Sequence, residues 1–172
     1  MAWTQEMGAL RGGTDVWFTP DWAVEVIADY IPERSRILCP FDSKESAFYR
    51  VLSERGHEVE ASTLSEGVDF FERSLDGYDY VISNPPFSQK DQILTRLYDE
   101  DKKFALICNW NGLFDSRKRI DLAARGAELI VLYPRVQYVS ESGAEKNVPY
   151  QSCYWCRGIL RPGTIRFEKR VI

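Results

Sequence analysis

The sequence predicts a three-layer α/β/α domain built on a mostly parallel sheet, and three observations carry that expectation. From residue 19 to residue 133, short apolar runs alternate with segments of helical periodicity, the pattern left by successive strand–helix–strand units. Two of the runs, Phe104 to Cys108 and Glu128 to Tyr133, are almost unbroken in apolar residues, as strands covered on both faces must be. Near the C-terminus, Tyr150 to Gly158 and Thr164 to Glu168 are split by Arg161-Pro162-Gly163, which reads as an antiparallel hairpin closing the sheet.

Taken in order, Thr19-Pro20-Asp21 predicts a helix start with Thr19 as N-cap, followed by Trp22, Val26, Ile27 and Tyr30 at helical spacing and an end near Pro32. Ile37-Leu38-Cys39 is a short strand. Asp42 and Glu45 then have capping-box spacing ahead of a helix through Ala47, Phe48, Val51 and Leu52, which stops at Gly56. Glu58 to Ser62 is a second strand, Val68 to Leu75 a short helix or loop, and Tyr78 to Ser83 a third strand that runs into Asn84-Pro85-Pro86-Phe87. Ile93, Leu94 and Leu97 place a helix from Ser88 to about Asp99. A further helix is expected over Leu113 to Arg125, ending at Gly126.

At 172 residues, 44% hydrophobic and 28% charged, the chain has the composition of one ordinary globular domain. The reading is a single domain over 1–172, with 1–16 an N-terminal extension and no separate target-recognition domain. There is no apolar run of the roughly 20 residues a membrane helix needs, and no leader pattern at Met1-Ala2-Trp3. A cytoplasmic protein is expected. Cys39, Cys108, Cys153 and Cys156 read as reduced, buried thiols. Cys153-Tyr154-Trp155-Cys156 lacks the second ligand pair of a zinc site, and His57 is the one histidine. A net charge of −4 argues against nonspecific coating of nucleic acid, which depends on many phosphate contacts.

Ligands of open α/β sheets sit beyond the carboxyl ends of the strands. The residues there include 40–46, 62–64, 84–87 and 109–111. Among them Asn84-Pro85-Pro86-Phe87 is the most informative. Two prolines fix the backbone and remove two donors, leaving carbonyl oxygens as acceptors. Asn84 adds an acceptor and Phe87 a flat apolar face. That set suits an aromatic amine, whose two N–H groups are accepted while its ring stacks at roughly 1–3 kcal/mol per base. Accepting both protons stabilises the positive charge that develops as the nitrogen attacks an electrophile.

With these residues in place the chain resembles the amino-methyltransferases, in particular the small adenine-specific DNA methyltransferases of phage type related to the EcoRI methylase. The likeness runs from Trp17 to Phe167 and implies a Rossmann-like methyltransferase sheet, S-adenosylmethionine as cofactor and DNA as partner, in a monomer or homodimer. It implies a catalytic set of Asn84, Pro85, Pro86 and Phe87. Phe18-Thr19-Pro20 resembles the motif beside the cofactor's methionine end, Cys39-Pro40-Phe41-Asp42 with Ser46 the cofactor loop, and Asp69-Phe70 the pair beside the cofactor adenine. The resemblance also implies Ser62 and Asn84 as cofactor contacts. Phe87, Lys90, Arg117, Lys118 and Arg119 are the candidates for substrate and nucleic-acid binding, and no metal is implied.

The sequence departs from this family at two points. Pro40 to Ser46 contains no glycine, although glycines let the backbone approach a ligand closely. No acidic residue clearly ends the second strand to hold a ribose, Glu60 and Ser62 being nearest. A catalytically silent binding module, an RNA methyltransferase and a protein-glutamine methyltransferase therefore stand as alternatives. Arg157, Arg161, Arg166, Lys169 and Arg170 form a second basic group that is either solvated surface or a phosphate track. Trp110, Tyr138, Tyr150, Tyr154 and Trp155 belong to the core or help hold a flipped base. His57 is expected at the surface, and Gln137 to Pro149 is expected as a recognition loop.

Overall fold

The computed structural model describes residues 17–140 and 145–170. The extension over 1–16 lies outside the described residues. In chain order the elements are β1 (Trp17–Phe18), α1 (Asp21–Ala28), β2 (Arg36–Cys39), α2 (Ala47–Glu54), β3 (Glu58–Ala61) and β4 (Tyr80–Ser83). There follow α3 (Lys90–Asp99), β5 (Phe104–Asn109), α4 (Arg117–Ala123), β6 (Glu128–Tyr133), β7 (Gln137–Ser140), β8 (Glu145–Asn147), β9 (Ser152–Arg157) and β10 (Ile165–Lys169). Seven strands form one sheet in the order β10-β6-β9-β5-β4-β2-β3, every pairing parallel except the two made by β9. This is the Rossmann-like, mostly parallel α/β sheet that the sequence predicts.

Strand alternation builds the two outer layers. Ile37, Cys39, Ile82, Ala105, Ile107, Ile130 and Leu132 face Ala23, Val24 and Ile27 of α1 and Phe48, Val51 and Leu52 of α2. Leu38, Val81, Phe104, Leu106 and Leu129 face Ile93, Leu94 and Leu97 of α3 and Leu122 of α4. Residues two apart in a strand share a face, so each strand feeds both layers. Trp155 is fully buried on the second side, where its indole N–H donates to Tyr98 Oη at 3.0 Å. All four cysteines are buried and unbridged. Among the described residues no helix is long and apolar enough to cross a membrane.

Several local expectations are corrected. Pro20, not Thr19, occupies the N-cap of α1, and that helix ends at Ala28. The Asp42/Glu45 capping box does not form: Ser46 caps α2, its Oγ accepting from Tyr49 N–H at 3.2 Å. The 113–125 helix is confined to Arg117–Ala123, capped by Ser116. His57 is buried, 8% exposed, and burial pulls its imidazole pKa below the ordinary value, with the Arg55 charge adding to the effect. The 137–149 segment is not a plain loop, because β7 and β8 pair antiparallel and β7 also pairs with β1.

The C-terminal hairpin is the largest correction. Its strands exist, but β6 lies between them, antiparallel to β9 and parallel to β10. The connection instead passes the amino end of β6, where the Glu128 carboxylate accepts from Gly158, Ile159 and Leu160 N–H at 2.8, 3.0 and 2.7 Å. Gly158 is required there, since φ is +72° and a Cβ would meet Lys103 Cγ at 2.7 Å.

Candidate functional site

Parallel alignment of β2, β4 and β5 brings the segments after Cys39, Ser83 and Asn109 to one sheet edge. Ser83 is fully buried and ties two of them together: its hydroxyl donates to Asp42 and accepts from Phe41 N–H at 3.2 Å. Asn84 N–H also points to Asp42 Oδ2, at 3.4 Å, and Asn84 Nδ2 reaches Thr19 Oγ1 at 3.4 Å. The Phe18-Thr19-Pro20 segment, the loop after β2 and the Asn84 turn are thus joined by Thr19, Asp42, Ser83 and Asn84. Asn84, Pro85 and Pro86 are buried and Phe87 is half-buried.

Enclosure of Asp42 in this turn pushes its carboxyl up to about 7, while hydrogen bonds from Ser83, Asn84 and Ser46 pull it partly back. Charge removed from water without a cation is disfavoured, and three donors only partly compensate. Beside the turn lies a cavity of about 360 Å³ lined by Phe18, Thr19, Pro20, Ala47, Arg50 and Val139, among others. It opens at the first turn of α2, where Arg50 and Asp21 form an ion pair at 2.6 Å.

The remaining cofactor candidates are already engaged. Ser62 Oγ accepts from Arg73 Nη1 at 2.8 Å, and Glu60 Oε1 accepts from Arg73 Nη2 at 2.8 Å. Tyr78 Oη donates to the other Glu60 oxygen. Asp69 Oδ1 accepts from Phe71 N–H at 2.8 Å, closing a local turn. Phe70 is buried, its ring 5.0 Å from that of Phe41 and under the Arg96 guanidinium at 4.8 Å. Phe41 and Phe70 therefore meet, linking the loop after β2 to the Asp69 turn. Cys39 and Pro40 are buried at the strand end.

On the other side of the Asn84 turn, Phe87 packs edge-on to Tyr150 with centroids 6.4 Å apart, and Lys90 Nζ lies 5.7 Å from the Phe87 ring. Lys90 is 8% exposed. The three-residue basic group divides. Arg117 is exposed and Lys118 is exposed. Arg119 is drawn inward, to Asp91 at 2.9 Å, Ser116 Oγ at 3.0 Å and the Gly112 carbonyl. Arg157 pairs with Asp101 at the opposite, amino edge of the sheet, beside Phe104. Tyr138, Tyr154 and Trp155 are core residues, whereas Trp110 is 37% exposed.

Sequence reasoning missed Ser83 and Arg73. Ser83 carried one signal, a polar residue inside an apolar strand just before Asn84. Arg73 carried none, because its partners Glu60, Ser62 and Tyr78 are brought to it only by folding.

No family model matches the chain, and no curated protein sequence matches it. Solved structures that share its fold include two whose descriptions name methyltransferases. One is a predicted O-methyltransferase from Agrobacterium tumefaciens, at 13% identity and TM-score 0.50, covering 87% of this chain and 86% of that one. The other is a type I restriction-modification methyltransferase subunit from Streptococcus thermophilus, at 9% identity and TM-score 0.51, covering 95% of this chain and 49% of that one. At such identities the likeness shows the fold alone.

Proposed function

We propose that the protein is an S-adenosylmethionine-dependent methyltransferase acting on the exocyclic amine of adenine in DNA. The observation that carries this reading is the hydrogen-bonded junction of Thr19, Asp42, Ser83 and Asn84, with Phe87 next to it at the carboxyl edge. The structural likeness to proteins described as methyltransferases supports it.

The donor set fits one end of such a cofactor. Asp42 suits an ammonium, and the α2 start at Ser46 suits a carboxylate; the cavity lined by Phe18, Thr19 and Pro20 meets this junction at Thr19 and is also lined by Asp21, Glu45 and Arg50. Bound there, the cofactor supplies an electrophilic methyl group. Asn84 directs its Nδ2 to Thr19, which leaves its Oδ1 to accept one N–H of the substrate amine. The Pro85 carbonyl accepts the other. Phe87 and Tyr150 form an aromatic corner for the extruded base, with the Lys90 ammonium beside it. Arg117 and Lys118 are the cations of the first basic group open to phosphate, and Arg119 positions α4.

Calorimetry should give a micromolar dissociation constant for S-adenosylmethionine, roughly −8 kcal/mol, and adenine-containing oligonucleotides should accept labelled methyl. Asn84→Ala should lower turnover at least about a hundredfold with cofactor affinity nearly unchanged. Phe87→Ala should weaken substrate use by about 1–3 kcal/mol. A second reading, a silent binding module, is favoured by the way Arg73 occupies Glu60 and Ser62. No cofactor binding, with or without oligonucleotide, would put that reading first.

A further inference from the structure

Among the described residues, strand β10 ends the seven-stranded sheet and has one neighbour, β6. Its burial pattern is that of a strand left open, with Ile165 49% and Phe167 75% exposed, and Tyr133 of β6 beside them 64% exposed. Which main-chain groups point outward follows from two hydrogen bonds. Leu129 N–H donates to the Thr164 carbonyl at 2.9 Å, and Arg170 N–H donates to the Tyr133 carbonyl at 2.7 Å. With Ile165 in register with Leu129 and Lys169 with Tyr133, the parallel ladder uses the groups of residues 164, 166, 168 and 170. Those of Ile165, Phe167 and Lys169 are directed away from the sheet.

We propose that this edge pairs with the same edge of a second copy of the chain, antiparallel about a two-fold axis at Phe167. In that register Phe167 meets Phe167 of the partner subunit, and Ile165 meets Lys169 of the partner subunit, each as a hydrogen-bonded pair built from the outward groups. Arg166 then faces Glu168 of the partner subunit, and Glu168, which accepts from Tyr30 Oη through one carboxylate oxygen in its own copy, offers the other to Arg166 of the partner subunit. These are non-hydrogen-bonded pairs, the closer kind. The alternation Ile-Arg-Phe-Glu-Lys is thus complementary to itself when reversed about Phe167, with opposite charges on one face and apolar side chains at the centre of the other. Opposite-charge and aromatic cross-strand pairs are both stabilising, and an isologous contact closes at two copies. The side chains of Tyr133, Ile165 and Phe167, which one copy leaves in water, become a continuous strip across the seam. An exposed edge strand is otherwise an aggregation hazard. The two carboxyl edges then point in opposite directions, so each copy keeps its own site, and the pairing does not depend on the proposed activity.

Light scattering on a size-exclusion column should give twice the chain mass for the native protein. Phe167→Pro removes an outward N–H and leaves the β6 ladder intact. It should halve the mass while circular dichroism stays native. Arg166→Glu sets carboxylates against each other on both sides of the axis and should also give monomer. Phe167→Cys should form a disulfide-linked dimer on mild oxidation, because directly opposed Cα atoms about 5.5 Å apart suit the bond. Arg166→Cys should not. A native protein that runs as a monomer at high concentration overturns the proposal, as does a dimer that persists in folded Phe167→Pro.

Discussion

Asp42 connects three segments at the carboxyl edge, and its protonation ties the site to the stability of the fold. Its carboxyl is held near 7 against an ordinary 3.8, first by burial. Because the folded state keeps the proton to higher pH than the unfolded chain, this group stabilises the fold fully at low pH. That contribution is lost as pH rises from about 4 to about 7, and is level above it. The proposed hold on a cofactor ammonium has the opposite sign, since it needs the carboxylate and strengthens as pH passes 7. Asp42→Asn should therefore melt at a higher temperature than the native protein at pH 8, with the gap closing towards pH 4. It should also bind S-adenosylmethionine weakly, with no pH dependence between 6 and 8. Melting curves at several pH values and calorimetric titrations at pH 6 and 8 check the two halves separately. A variant that melts like the native protein at every pH would place Asp42 in ordinary solvent.

At the scale of the element, α2 shows what local pattern can and cannot resolve. Two polar residues precede its apolar face, Asp42 and Ser46, and both have plausible capping partners downstream. Spacing alone favours Asp42, because Glu45 follows three residues on. Folding draws Asp42 to Ser83 instead, a partner 41 residues away, and Ser46 takes the cap. Ser46→Ala should cost about 1 kcal/mol in urea denaturation, with the start of α2 losing amide protection first. Thr19 follows the same logic, since its hydroxyl meets Asn84 and leaves the N-cap to Pro20. In both cases a residue whose type suits a helix end is taken by a contact distant in sequence.

For the whole molecule, the path of the chain from β9 to β10 decides the architecture. Glu128 is 1% exposed and gathers three backbone N–H groups of the connection. Truncating it leaves those donors without a charged acceptor, at about 1–3 kcal/mol for each that stays unpaired. Glu128→Ala should lose at least about 2 kcal/mol in guanidinium unfolding, with Glu128→Gln between it and the native protein. The loss should appear as increased amide exchange in β10, the strand the connection delivers. An unfolding midpoint equal to that of the native protein would mean that the parallel ladder with β6 alone holds β10 in place.

Local patterning in the chain is enough to read the succession of strands and helices and the mostly parallel class, and it marks the candidate residues as lying at strand ends. It could do so because those features rest on local periodicity and on the rule that parallel strands present their carboxyl ends together. Strand neighbours on either side of β6, the β1-β7-β8 sheet, the burial of His57 and the inward turn of Arg119 were decided by the tertiary structure. Each depends on which distant segment reaches a strand edge or a polar group first. A reading of spacing along the chain holds no information about that competition.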